Sequence, residues 1–317
     1  KVKALASEMG AAVVLVDDPY DALARIAACN RSTLSCPVVG ITGSTGKTTT
    51  KDFVRAVLAE RFAVVATEGN RNNEIGVPAT VIAADSSTGA LVVEMGMRGR
   101  GQIEKMCRYV QPRIGVISNI GVTHAELLGS QENIARAKAE LLSALPFQKG
   151  IAVLNADDPF TPFLEKTAAV DDRGIEVVTF GCAPEADVRA VDVTLDEAGH
   201  ASFTLVLPDE NPACARLSLP GRHNVSNALS AAAVGHVLGI GCEEIVHALS
   251  CATGSGMRQE IVEGPAGIRV INDAYNANPD SMRAAIALLS EMPCTGVRIA
   301  VLGDMGEMKI YSCSSFN

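Results

Sequence analysis

The hexapeptide Gly43-Ser44-Thr45-Gly46-Lys47-Thr48 has the residue types needed to hold a triphosphate. Its glycines permit a tight turn and let backbone amides approach phosphate oxygens closely. Lys47 can reach the β- and γ-phosphates, and the Thr48 hydroxyl can ligate Mg²⁺. The β-branched run Val38–Thr42 before the loop predicts a buried strand. Lys47–Glu60 after it predicts a helix, whose first amides add partial positive charge. The loop is shorter than the usual pattern, since Ile41 stands where the first glycine would be. Strand, glycines, lysine, threonine and helix still fall in the required order, so ATP binding is the strongest single expectation.

Three further residues can add a metal ion or a reactive group. Glu94 closes the apolar strand Ala90–Glu94. A carboxylate at the C-terminal edge of a parallel sheet faces the ligand crevice and can hold Mg²⁺. The alternative is a solvated carboxylate at a strand end. His124 follows the strand Ile114–Asn119 at the same edge, as a metal ligand, a phosphate contact or a structural imidazole. Lys138 lies four residues from both Ile134 and Leu142, on the apolar face of the helix Ser130–Leu145. A buried lysine has a lowered pKa and more neutral amine, which can react with CO₂ to give an anionic carbamate able to bind metal. The competing reading is a packed stem whose ammonium reaches solvent.

These residues need a scaffold that brings strand ends together. Phe62–Thr67, Ala90–Glu94, Ile114–Asn119 and Ile151–Asn155 read as strands, and Gln102–Val110 and Ser130–Leu145 as helices between them. That alternation implies an α/β fold, with a mostly parallel sheet covered by helices on both faces. Ala11–Val16 is a further candidate strand, and Asp18-Pro19 opens a helix through Ala28. Val188–Leu195, Ala201–Leu207 and Ala215–Leu219 follow one another without helices, as a small antiparallel addition. His223–Leu238, Glu243–Leu249 and Asp280–Glu291 read as helices, and Gly267–Asp273 and Arg298–Gly303 as strands.

Composition fits this scaffold. Aromatics are only 4% against 48% hydrophobic residues, so the core must be aliphatic, as buried parallel strands are. A net charge of -9 argues against general nucleic-acid binding. Nine scattered cysteines with no C-x-x-C pair favour free thiols in a reducing cytosol over zinc or disulfides. No apolar run reaches the roughly 18 residues of a membrane span.

The order of several segments carries a resemblance. They are Gly40–Lys51 (GITGSTGKTTTK), Gly69–Pro78 (GNRNNEIGVP), Val93–Met97 (VEMGM), Ser118–Ser130 (SNIGVTHAELLGS) and Ala135–Leu142 (ARAKAELL). Val153–Pro159 (VLNADDP), Leu219–Ala233 (LPGRHNVSNALSAAA), Asn272–Met282 (NDAYNANPDSM) and Val301–Met305 (VLGDM) continue it. Together they resemble the Mur ligase superfamily and, through GNRNNEIGVP and YNANPDSM, its MurF branch. The resemblance implies ATP-dependent ligation of D-alanyl-D-alanine to UDP-N-acetylmuramoyl-tripeptide through an acyl phosphate. That reaction belongs to peptidoglycan precursor synthesis, hence to cell-wall biogenesis, cell shape and division.

The resemblance also implies roles. Lys47, Gly43, Ser44, Gly46 and the amides of Thr45 to Thr49 become the triphosphate cradle. Thr48 and Glu94 become ligands of one Mg²⁺, and His124 and a carbamylated Lys138 ligands of a second. Asn224 or Asn227 is the implied adenine contact, Arg258 a nucleotide contact and Asp273 the ribose contact. Asn70, Asn72, Asn73 and Glu74 line the side of the muramyl peptide.

The same pattern predicts boundaries. Residues 1–36 read as a remnant of an N-terminal UDP-substrate domain and 37–256 as the central ATP-binding domain. Residues 257–307 read as the start of a truncated C-terminal Rossmann-like domain, and 308–317 as a tail outside the pattern. One alternative activity is therefore an ATP-binding fragment that does not complete ligation. A folylpolyglutamate synthase-like or cyanophycin synthetase-like ligase, or a bare regulatory nucleotide module, stands further off. A bacterial cytoplasmic monomer without nucleic-acid or membrane partners completes the expectation.

Overall fold

The computed structural model describes residues 8, 10, 12–122 and 128–305. The strands are β1 (Val38–Thr42), β2 (Val64–Ala66), β3 (Ala90–Glu94), β4 (Ile114–Ile117), β5 (Ile151–Asn155), β6 (Glu176–Gly181), β7 (Val188–Leu195), β8 (His200–Val206) and β9 (Ala213–Pro220). They form one nine-stranded sheet in the order β2-β3-β1-β4-β5-β6-β7-β8-β9. Pairing is parallel from β2 to β7 and antiparallel from β7 to β9. The antiparallel addition foreseen from the sequence thus continues the large sheet.

Period-two side-chain alternation gives the central strands two apolar faces. Val39, Ile41, Val92, Val116 and Val153 pack on one side. They meet Phe53, Val57, Leu229 and Ile245, contributed by α2 (Lys47–Ala59), α7 (Asn224–Val237) and α8 (Cys242–Cys251). Val38, Leu91, Val93, Ile117 and Leu154 pack on the other side. There lie α1 (Pro19–Arg31), α3 (Gly76–Ile82), α4 (Gln102–Val110), α5 (Gln131–Ser143) and α6 (Thr161–Ala168). Asp18 caps α1 ahead of Pro19, and the Ser130 side chain accepts from the Asn133 amide to start α5. Beyond the large sheet, β10 (Glu260–Glu263) pairs antiparallel with β11 (Arg269–Asn272), and α9 (Pro279–Glu291) follows.

Two expected strands are corrected. Residues 12–16 and 298–303 have no strand structure, and Val13, Val14, Leu15, Val16, Ile299, Val301 and Leu302 are exposed. Their composition is strand-like, yet no neighbouring strand among the described residues pairs with their backbones. Conversely α3, α6, β6 and β10 form without having been foreseen, each being short and weakly periodic.

Candidate nucleotide-binding site

The loop between β1 and α2 lies at the C-terminal edge of the sheet, where β3, β4 and β5 also end. That edge is the ligand side of an open α/β sheet. Gly46 has a left-handed φ of 76°, and a Cβ there would come 2.3 Å from Asn227 Oδ1. A side chain at this turn is therefore excluded twice, by backbone conformation and by space. The end of β4 holds the loop from below. The Ser44 and Thr45 amides donate to the Asn119 carbonyl and side-chain oxygens, both at 3.0 Å. Asn119 Nδ2 donates to Thr45 Oγ1 at 2.7 Å, and Ser118 Oγ donates to the Thr45 carbonyl at 2.7 Å. Lys47 Nζ folds back to donate to the carbonyls of Gly43 (2.7 Å) and Ser44 (3.2 Å). Among the described residues no side-chain cap hydrogen bond starts α2, and the partial positive charge of a helix N-terminus suits an anion.

Glu94 closes the floor of this site. Its side chain is fully buried. Oε1 accepts from Thr48 Oγ1 at 3.1 Å and from Asn72 Nδ2 at 2.7 Å. Oε2 is buried and has no hydrogen-bond partner among the described residues. A buried carboxylate oxygen left without a donor costs roughly 1–3 kcal/mol or more unless something else meets it. A carboxylate beside a threonine hydroxyl offers hard oxygen donors, which suit Mg²⁺. The solvated strand-end reading of Glu94 is ruled out by its burial. His124 lies outside the described residues.

Lys138 sits on α5 with its whole side chain buried, so its ammonium does not reach solvent. Burial first, and the nearby Lys47 charge second, hold its amine well below the usual lysine range. The charged form of an amine next to the phosphate loop is thereby disfavoured.

The remaining expected residues divide. Asn224 and Asn227 are both buried and joined, with Asn227 Nδ2 donating to Asn224 Oδ1 at 2.9 Å. Thr50 Oγ1 donates to Asn227 Oδ1 at 3.3 Å, which ties α7 to the phosphate-loop helix. Arg258 stacks on Tyr275, 4.2 Å from the ring centre. The Tyr275 hydroxyl accepts from Asn70 Nδ2. The Asp273 carboxyl is raised, chiefly by burial, against the Gln259 amide that donates to it at 3.3 Å. Asn73 Oδ1 accepts from the amides of Ile75 and Gly76 and so starts α3, while Glu74 is exposed. Asn72 alone of this group reaches Glu94.

Sequence reasoning missed one pair. Lys51 and Asp52, on α2 just past the loop, form an ion pair of 2.8 Å with side chains only 3% and 6% exposed. Lys51 Nζ also donates to the Gly69 carbonyl at 3.1 Å. Asp52 Oδ2 accepts from the Ser255 amide (2.8 Å) and hydroxyl (2.9 Å). The phosphate-loop helix thus grips the start of GNRNNEIGVP with one side chain and the segment leading to residue 257 with the next. Adjacent charges on a helix ordinarily face water, so nothing in the pattern announced them.

The glycine loop between strand and helix, the buried carboxylate and the open sheet edge define an α/β fold with a candidate phosphate-binding edge. The family profile of the Mur ligase middle domain matches residues 41–235, and that of the Mur ligase, glutamate ligase domain matches residues 257–314. The chain belongs to the Mur ligase family. The UDP-N-acetylmuramoyl-tripeptide–D-alanyl-D-alanine ligase of Bacillus subtilis (strain 168) is 40% identical over 297 residues, covering 94% of this chain and 62% of that protein. The ligase of the same name from Mycobacterium tuberculosis (strain ATCC 25618 / H37Rv) is 44% identical, covering 86% and 53%. A crystal structure of MurF from Acinetobacter baumannii is 34% identical with a TM-score of 0.85, over 93% of this chain and 62% of that one. MurF ligase from Thermotoga maritima, in complex with ADP, is 28% identical with a TM-score of 0.77, over 88% and 63%. The chain therefore spans between about half and two thirds of these relatives.

Proposed function

We propose that these residues form the ATP-binding, phosphoryl-transferring part of a UDP-N-acetylmuramoyl-tripeptide–D-alanyl-D-alanine ligase in bacterial peptidoglycan precursor synthesis. One observation carries the reading: the buried Glu94 carboxylate, with one oxygen on Thr48 of the phosphate loop and the other without a donor among the described residues. The ligases of that name, 33% to 44% identical to this chain, supply the substrate class.

In this reading Lys47 and the amides of Thr45 to Thr49 bind the triphosphate, and Thr48 and Glu94 hold Mg²⁺. Bound Mg²⁺ neutralises charge on the transferring phosphoryl group. His124 and Lys138 serve a second ion, Lys138 as its carbamate. The burial that disfavours the charged amine supports that modification, and the Lys47 charge beside it favours an anion in its place. The terminal carboxylate of the UDP-linked tripeptide attacks the γ-phosphorus, and ADP leaves. The dipeptide amine then attacks the acyl phosphate carbon, phosphate leaves, and the amine loses a proton. Positioning and charge stabilisation suffice, and no protein nucleophile is required. Asn227 at the loop, Arg258 over Tyr275 and Asp273 lie toward the nucleoside, and Asn70, Asn72, Asn73 and Glu74 toward the muramyl peptide.

Residues 37–256 would be the ATP-binding domain, 257–307 the start of the domain that receives the amine, and 1–36 part of the UDP-substrate region. The tail 308–317 lies outside the described residues. We place the reaction in the cytoplasm with a monomeric enzyme; no helix among the described residues is long and apolar enough to cross a membrane. The L. casei FPGS structures share the fold alone, at 16% identity.

Calorimetric titration with MgATP, paired with phosphate release in the presence of UDP-muramoyl-tripeptide and D-alanyl-D-alanine, tests this reading. Micromolar binding that is lost in Glu94→Gln supports the site. Binding unaffected by that change overturns it. Binding without turnover assigns the later steps to parts of the relatives beyond these 317 residues. For Lys138, activation of the wild type by bicarbonate and its loss in Lys138→Ala support the carbamate. Indifference to both overturns it.

A further inference from the structure

Away from the nucleotide site, three reactive side chains meet on the opposite end of α2 and α8. Cys251 is the last residue of α8 and is exposed. Its Sγ lies 3.9 Å from His247 Nε2, one turn earlier on the same helix. The other ring nitrogen, His247 Nδ1, lies 3.0 Å from Glu60 Oε1 at the end of α2. The Ser250 hydroxyl is 3.6 Å from the sulfur.

This is the order of groups that activates a thiol: nucleophile, base, and a carboxylate that orients the base. Glu60 takes the Nδ1 proton as a hydrogen bond, so Nε2 is left as the acceptor facing the S–H. Once Nε2 is protonated, Glu60 stabilises the imidazolium. Cys29, Cys182, Cys214 and Cys294 are the other exposed cysteines among the described residues. Buried Cys107 is pushed the other way, its thiol raised to about 12 by desolvation.

We propose that Cys251 is a primed surface thiol, a modification site for low-molecular-weight disulfides and soft electrophiles, with His247 as base and Glu60 as its orienting partner. In the exchange reaction His247 Nε2 takes the Sγ proton, and the thiolate attacks one sulfur of the small disulfide. A new Sγ–S bond forms as the old S–S bond breaks. The leaving thiolate takes up a proton, and the reagent is reduced by the two electrons that Cys251 gives up. The site stands just ahead of Thr253, which accepts from Arg55, and Ser255, which is held by Asp52. An adduct there sits at the entrance to the segment joining the two matched domains.

The test uses the 317-residue protein, native and at neutral pH, with oxidised glutathione in one arm and iodoacetamide in the other. Peptide mass spectrometry gives a rate for each cysteine. Cys251 is expected to react on the order of tenfold faster than Cys29 and Cys214, because an oriented imidazole stands ready to take its proton as it attacks. His247→Gln and Glu60→Gln are each expected to slow Cys251 several-fold while leaving the Cys29 and Cys214 rates unchanged. Continued protection of the buried Cys107 and Cys242 shows that the variants are folded. A Cys251 rate equal to that of Cys214, or unaffected by His247→Gln, overturns the proposal.

Discussion

The residues of β1 and those of β11 have similar chemistry and opposite fates. Val38–Thr42 is buried at every position, clamped between parallel neighbours and between two apolar layers. Arg269–Asn272 has one neighbour and exposes Val270, as β10 exposes Val262. Downstream, Val297, Ile299 and Val301 are 83%, 74% and 92% exposed, with no strand at all. The difference teaches that apolar β-branched residues only nominate a strand. Backbone pairing and an opposing layer make one. The second region is anchored at few points. Leu288 of α9 and Met292 at its C-terminus are buried, with Leu288 against Gly199. The Lys51–Asp52 pair holds the connector at Ser255.

The largest expected contrast tests burial itself. Phe53 is fully buried between α2 and the sheet. Phe53→Ala should cost about 3–5 kcal/mol in urea unfolding, the transfer of a ring plus the cavity it leaves. Val301→Ala should fall within about 0.5 kcal/mol, since its side chain has nothing to lose. Equal costs would break the comparison.

Next comes the tie between the regions. Asp52→Asn leaves the Lys51 ammonium buried without its counter-charge and should cost about 3 kcal/mol, the low end for breaking a buried pair. The new amide oxygen still accepts from Ser255. Lys51→Met combined with Asp52→Leu should recover much of that loss, because no charge then stays buried. The readout specific to the connector is tryptic cleavage after Arg258, expected to accelerate in Asp52→Asn at temperatures well below global unfolding.

Lys138 sharpens the comparison through pH. Its folded pKa lies far below its unfolded value near 10.4. Between the two, the unfolded chain binds a proton that the native state refuses, so stability rises with pH and levels off above about 10.4. Lys138→Met should remove that rise. The variant should be the more stable protein at neutral pH, with its advantage shrinking as pH approaches 10.4. Parallel stability curves for the two proteins would show that Lys138 is charged in the fold. No lysine is buried among the described residues of 257–305, so no such pH term is expected from that region.

How much could be read in advance follows the range of the forces involved. The phosphate loop, β1 and α2 were legible because strand, turn and helix signals are local. The apolar face bearing Lys138 followed from helical spacing, and Glu94 from its place at a strand end. The Asn72 contact to Glu94 joins positions 22 residues apart, and no spacing rule links them. Asp52 meets Ser255 across 203 residues. Residues 12–16 and 298–303 failed as strands for the same reason: pairing partners are chosen by the fold.

The smallest effect is expected at the start of the second region, where geometry is set by one stacking contact. Met257 and Gln259 both hold left-handed backbone, φ 58° and 49°, on either side of Arg258. That conformation is costly for residues with a side chain and persists only where neighbours impose it. The Arg258 guanidinium on the Tyr275 ring is such a neighbour, worth about 0.5–1 kcal/mol at an exposed site. Tyr275 in turn accepts from Asn70, across the boundary between the regions. Arg258→Ala should therefore lower global stability by less than about 1 kcal/mol, yet speed amide exchange at 257–260 several-fold while exchange in β1 stays unchanged. Glycine at position 257 relieves the backbone strain, so Met257→Gly should slow that exchange if strain drives it, and speed it if chain entropy does. A uniform change across both regions would mean that the connector and the large sheet open together, and that the packing contrast between them has no dynamic counterpart.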